Sequence, residues 1–139
     1  MEINPAAGVY DTGELFTEED LVPDTAKGYM NIPDGELPKF KEGPFAKFPD
    51  FRLAVRHWMA YNAGFGNQGN PEGNVSVSFT VGKDGKAKDA KVENRETTSS
   101  ELEAAALYTI QRLPEFIPAT QNGKPVAFRM TVALRFEKR

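Results

Sequence analysis

The chain of 139 residues contains no cysteine and a single histidine, His57. Without thiolates there are no disulfides and no cysteine-held metal, and the compartment stays open, because periplasmic and cytosolic proteins alike do without them. A lone histidine leaves metal sites to carboxylates. Glu101 and Glu103 stand at the start of one helix rather than converging, and they read as favourable charges near the helix dipole. No metal and no other cofactor is expected. No run approaches the roughly 18 to 20 apolar residues of a membrane-spanning helix, and the opening MEINPAAGVY lacks the basic and apolar regions of a signal peptide. No membrane span is expected in this chain, and any targeting segment has been removed or never existed. Positive charge is scarce as well: 17 Lys and Arg against 20 Asp and Glu leave a net −3, which gives no support for nucleic-acid binding.

What is present is an ordinary globular composition, 40% hydrophobic and 27% charged, in a chain long enough for one core and too short to expect two. The charge is uneven. Residues 1–49 hold ten Asp or Glu against four Lys or Arg, so a segment of −6 precedes a body of +3. Pro5, Pro23, Pro33, Pro38, Pro44 and Pro49 punctuate the acidic segment and forbid long helices or central strands there. Residues 1–35 are read as an acidic, Pro/Gly-rich N-terminal arm, partly ordered, ahead of a domain over 36–139. The arm's apolar residues fall in pairs between turns (Val9 and Tyr10, Leu15 and Phe16, Leu21 and Val22, Tyr29 and Met30), which predicts partial docking onto the body. Thr17 with Asp20 three residues on predicts a short helical turn.

The body opens with a helix over Phe51–Asn62, capped by Asp50. At 100° per residue Phe51, Ala54, Val55, Trp58 and Asn62 share one side, Met59 and Tyr61 flank it, and Arg52 and Arg56 lie opposite. A strand follows in which Val75, Val77, Phe79 and Val81 alternate with Ser76, Ser78 and Thr80. The GKDG turn at 82–85 predicts a tight hairpin into a second strand at 86–93, where the parity of Ala90 and Val92 differs from that of Ala87 and predicts a bulge. A second helix is expected from a capping box of Ser100 with Glu103 to Leu113, with Leu102, Ala105, Ala106, Ile110 and Leu113 inside.

The longest regular pattern is the last one. Val126, Phe128, Met130, Val132, Leu134 and Phe136 alternate with Ala127, Arg129, Thr131, Ala133 and Arg135. A strand reached through a helix from the end of a hairpin runs parallel to the hairpin's second strand, and a right-handed crossover that skips one position sets it beside the first. The expected fold is therefore α+β: two helices packed on one face of a three-stranded antiparallel sheet of order 2-1-3. Ser76, Ser78, Thr80, Arg129, Thr131 and Arg135 then face outward, and strand 126–136 lies at an edge with unpaired backbone groups.

Each other candidate for chemistry has a plainer explanation. His57 lies about 120° from the centre of the first helix's buried stripe and reads as a solvated or boundary residue. Thr97, Thr98, Ser99 and Ser100 sit where a helix needs caps, not where a nucleophile has a base. Gly64, Gly66, Gly69 and Gly73 precede a strand and lack the lysine and following helix of a P-loop. No catalytic residue is assigned, and an enzyme is not expected. The edge strand has no internal proline or buried charge to defend it, so a partner strand, a second copy or the acidic arm is expected to cover it.

The order of elements and the local words resemble the C-terminal domain family of TonB, the energy transducer of the Gram-negative envelope. The resemblance rests on ELPKF at 36–40 with Gly43, GNVSVSFTV at 73–81 with Asp84 and Gly85, LEAAA at 102–106, LPEFIP at 113–118 and NGKPV at 122–126. It departs from the family pattern where Asn62, Ala63, Gly64 and Phe65 replace a tyrosine-proline pair, and where extra residues at about 44–49 precede the first helix. The resemblance implies a periplasmic domain whose third strand takes the TonB box, an extended peptide of a TonB-dependent outer-membrane receptor, by strand addition. The peptide-binding residues it implies are Val126, Phe128, Arg129, Met130, Thr131, Val132, Ala133, Leu134 and Arg135. No membrane anchor or proline-rich spacer stands in these residues. The alternative expectation is a free-standing structural or interaction domain whose edge is closed by its own arm, or by a second copy in a homodimer, without energy transduction.

Overall fold

The computed structural model describes residues 15–62 and 73–136. The expectations for Val9 and Tyr10 and for the glycines Gly64, Gly66 and Gly69 lie outside them. The arm supplies four short strands: β1 (Leu15–Thr17), β2 (Val22–Asp24), β3 (Tyr29–Asn31) and β4 (Gly35–Glu36). Then come β5 (Lys39–Phe40), helix α1 (Phe51–Asn62), β6 (Gly73–Val81), β7 (Ala87–Val92), helix α2 (Ser100–Gln111), β8 (Phe116–Ile117), β9 (Ala119–Gln121) and β10 (Lys124–Phe136).

β7, β6 and β10 lie side by side in that order and antiparallel, but they do not stand alone. β9 and β4 continue the sheet beyond the start of β10, and β1 joins β10, which makes six strands. The expectation of a three-stranded sheet is thereby corrected. The added strands have two or three residues each, too short for alternation to mark them in the sequence. The β1 pairing is also parallel, so the sheet is mixed.

Both helices cover one face. The side chains of Val77, Phe79 and Val81 join Phe51, Ala54, Val55, Trp58 and Met59 of α1 and Phe128, Met130 and Val132 of β10 in the main core. Val75 and Val92 pack with Leu102, Ala105 and Ala106 of α2. The alanines allow α2 to lie close on the sheet, and Thr109 returns its hydroxyl to the Ala105 carbonyl at 2.8 Å, so it is buried at no polar cost. The α2 N-cap is Ser99 rather than Ser100: its hydroxyl accepts the Leu102 amide at 3.1 Å. Ser99 keeps extended backbone (φ −69°, ψ 160°), as a cap requires, while Ser100 is already helical. Helical hydrogen bonding runs on through Arg112 and Leu113, although α2 closes at Gln111.

The β6–β7 hairpin turns on Gly85, whose φ of 83° suits glycine, and a Cβ there would overlap the Phe116 carbonyl. The Phe116 amide donates to the Gly85 carbonyl at 2.7 Å, which ties the hairpin tip to β8. The expected bulge is present. Val77 and Ser78 face Val92 and Lys91, while Thr80 and Val81 face Lys88 and Ala87, so Asp89 and Ala90 together oppose Phe79. Asp89 takes the left-handed conformation, φ 56°.

The arm is docked along its described length. Leu21 and Ile32 enter the main core. Asn31 is 4% exposed, and its side-chain oxygen accepts the Ile32 and Leu37 amides at 2.9 and 3.1 Å. Gln121 donates to the Pro33 carbonyl at 3.1 Å, and the Asn122 amide donates to Asp34 at 2.9 Å. The residues before α1 form a short 3-10 turn, Pro44–Lys47, whose Phe45 stacks between Phe40 and Phe48 with ring centroids 5.9 Å apart on each side.

Candidate functional site

β10 combines an inner face, an outer face and one long side edge. Pairing with β6 runs from Phe128 opposite Val81 to Phe136 opposite Gly73 without a register shift. Period-two geometry therefore holds throughout. The side chains of Val126, Phe128, Met130 and Val132 are buried in the core and that of Leu134 is half-buried. Thr131, Ala133 and Arg135 are exposed, and Arg129 is half-buried. Among the residues expected to bind peptide, the even-numbered ones thus hold the strand in place, while the odd-numbered ones reach the surface.

The edge away from β6 carries a strand already. Leu15, Phe16 and Thr17 of β1 pair in parallel with Ala127, Phe128 and Arg129. Because Arg129 also faces Thr80, β1 and β6 must lie on opposite sides of β10. At Glu18 the arm turns away into a 3-10 turn, Glu18–Asp20, whose Asp20 carboxylate accepts the Thr17 amide at 2.9 Å. The Glu18 side chain nevertheless stays at the edge. One of its oxygens accepts the Thr131 amide at 3.0 Å, and the other lies 3.6 Å from the Arg52 guanidinium of α1. In a continued parallel ladder the Thr131 amide would reach the backbone carbonyl of residue 18. The carboxylate of that same residue takes its place.

Since the Thr131 amide points outward, alternation turns the amides of Ala133 and Arg135 the same way. Among the described residues no strand pairs with this side of β10 beyond Arg129.

The outer face of the sheet is less open than its serines and threonines suggested. Ser78 and Thr80 point away from the helices, as expected, but they are 1% and 0% exposed. Arg129 lies along the sheet and donates to the Thr80 hydroxyl at 2.8 Å and the Ser78 hydroxyl at 2.7 Å, and Ser78 donates in turn to Glu93. The long guanidinium side chain covers the short polar ones, which the alternation of polar and apolar residues cannot show. Arg135 donates to the Asn74 side chain at 3.1 Å.

His57 is exposed and lies with its ring 5.0 Å from that of Phe48, a boundary position. Among the described residues no cluster of three or more His, Asp or Glu could hold a metal ion. A cleft of about 630 Å³ lies away from the β10 edge, between the arm and β9, lined by Asp24, Lys27, Asp34, Glu36 and Thr120 among others. Its one cation is committed: Lys27 contacts Glu36 at 2.9 Å, and that hydrogen bond, ahead of the burial that opposes it, raises the Lys27 ammonium above its ordinary range.

Leu15, Phe16, Thr17, Glu18 and Arg52 are the edge residues that sequence reasoning did not assign. The apolar pair Leu15 and Phe16, followed by acidic residues, was the available signal. Which strand it joins depends on contacts more than 100 residues apart in the chain.

The described residues form an α+β sheet with one long regular strand, β10, and two helices on the face opposite its polar residues. The Gram-negative bacterial TonB protein C-terminal family matches residues 67–137, about half of the chain, and the chain belongs to that family. The family is one of interaction and energy-transducing domains associated with transport at the outer membrane. Comparison with curated proteins returns no match. Among the described residues no helix is long and apolar enough to cross a membrane.

Proposed function

We propose that this domain captures an extended peptide, the TonB box of an outer-membrane receptor, by strand addition to the outer edge of β10, and that it works in the periplasm. The observation that carries this reading is the β1–β10 pairing: the edge has the geometry to hold an extended segment, and it holds one in parallel at residues 127–129. The outward amides of Thr131, Ala133 and Arg135 would continue the same ladder. Core residues Phe128, Met130 and Val132 keep the strand straight, and the exposed side chains of Thr131, Ala133 and Arg135 adjust the choice of peptide. Titration of ¹⁵N-labelled chain with a synthetic TonB-box peptide tests the reading. Amides at 127, 129, 131, 133 and 135 should shift before any others. If shifts gather elsewhere while these stay fixed, the edge is the wrong site.

A second reading is favoured by the same pairing. The arm closes the edge as a structural element, and the domain engages no receptor. Under it, the TonB-box peptide leaves every amide in place, and a variant with the arm detached loses stability without gaining a ligand.

A further inference from the structure

Resting on the strand-addition reading, we infer that residues 15–18 are a displaceable plug in the peptide site, latched by Glu18, so that the domain binds its peptide only when this segment leaves. The segment occupies the residues of β10 that a ligand strand needs. β1 covers 127–129, and Glu18 then caps the next outward amide, Thr131, with a side chain instead of a main-chain carbonyl. A structural strand meant to close the edge for good would run on past Thr131. The described part of this segment pairs three residues and turns away at Glu18, and no described strand pairs with this side of β10 beyond Arg129. An incoming peptide can therefore begin at Ala133 and displace a short neighbour.

The hold on the plug combines a short ladder, one apolar contact and charge. Leu15, Phe16 and Thr17 are partly buried, and Phe16 packs against the main core. The Glu18–Arg52 pair is partly solvated, with side chains 28% and 50% exposed at a separation of 3.6 Å, so it contributes little alone and weakens with salt. The acidic character of the arm against a mildly basic body serves the same end. It favours docking over release without fixing it. Where the binding-competent form is only a fraction of the population, apparent affinity falls by that fraction, and loosening the plug should restore it.

The test measures TonB-box peptide affinity, by chemical shift of the labelled 139-residue chain, for the unaltered sequence, Glu18→Gln and Phe16→Pro. Phe16→Pro should bind at least about ten-fold more tightly than the unaltered chain, with Glu18→Gln between them. Higher salt should tighten binding to the unaltered chain and change Phe16→Pro little. Exchange of the Thr131 amide should quicken in Glu18→Gln before any peptide is added. Equal affinities in all three chains overturn the plug and leave strand addition standing. Absence of binding in all three, with Phe16→Pro still folded by its amide spectrum, overturns strand addition and the plug together. If Phe16→Pro does not fold, Glu18→Gln decides alone: unchanged affinity and unchanged Thr131 exchange reject the latch.

Discussion

Along β7, the outer edge is broken by Asp89 and Ala90, which together face Phe79, and it carries Lys88 and Lys91. Along β10, nine consecutive residues face β6 with no shift, and the far side has no bulge and no internal lysine. Bulges and lysines are the usual ways a sheet refuses a further strand. The β7 edge uses both. Among the described residues the β10 edge carries instead a strand of three residues and one carboxylate, a cover that comes from another part of the chain. The plug proposed above requires this difference: one edge with defences of its own, the other covered from elsewhere in the chain.

The largest expected effect comes from removing what keeps β10 straight. Phe128 is fully buried, its ring 6.3 Å from that of Phe51 in an edge-on arrangement. Phe128→Ala should cost about 3–5 kcal/mol, the transfer term plus the cavity left behind. Urea denaturation measures it. A loss below about 1 kcal/mol would mean that β10 does not depend on its core face, and the contrast between a rigid strand and a removable cover would fail.

Next comes the cover itself. Proline cannot donate into a ladder, so Phe16→Pro should detach β1 at a cost of about 1–2 kcal/mol, smaller than the core substitution. Hydrogen exchange should quicken at Ala127, Arg129 and Thr131 and stay slow at Phe128 and Met130, whose amides face β6. Uniform acceleration along the strand would show that β1 is integral to the sheet and that its two sides do not differ in kind.

The defended edge can be probed at Asp89. Left-handed backbone suits Asp better than a β-branched residue, so Asp89→Val should destabilise by about 1 kcal/mol. Relaxing the bulge would also flatten the β7 edge, and sedimentation should then show association that grows with concentration. A variant with unchanged stability and unchanged association would remove the bulge from the account of why no described strand joins this edge.

Much of this contrast could be read from residues, and the reason it stops is physical. β6, β7 and β10 are long enough for alternation to show, and the parity break between Ala87 and Ala90 located the bulge. Helix α1 follows from Asp50 and the Phe51, Ala54, Val55 and Trp58 stripe, all four of which are buried. By contrast, β1, β4 and β9 are too short to have a period, and the partners of β1 and β4 lie far along the chain, although β9 also pairs with β10 across the adjacent Asn122–Gly123 turn. Arg129 was expected to face outward, and the alternation gives no sign that it would fold over Ser78 and Thr80. The Glu18 contacts with Thr131 and Arg52 join three separate elements, and only a folded chain brings them together.

The smallest effect belongs to the hairpin that carries the defended edge. Asp84 sits in the β6–β7 turn, where its carboxylate accepts the Lys86 amide at 3.1 Å and lies 3.4 Å from the Lys88 ammonium. Partial burial acts to raise this carboxyl, but the Lys86 amide and the Lys88 charge outweigh it and hold it below the ordinary carboxylate range. A carboxyl depressed in the folded state binds its proton more readily when unfolded. Its contribution is therefore complete above the unfolded value and is lost as pH falls through the folded one. Half of the side chain is in solvent, so screening leaves only a few tenths of a kcal/mol. Asp84→Asn should lower stability by that amount at pH 7 and bring the two chains together at low pH. A difference that persists below the folded value would place the role of Asp84 in turn geometry rather than charge, beside Gly85 and its contact with Phe116.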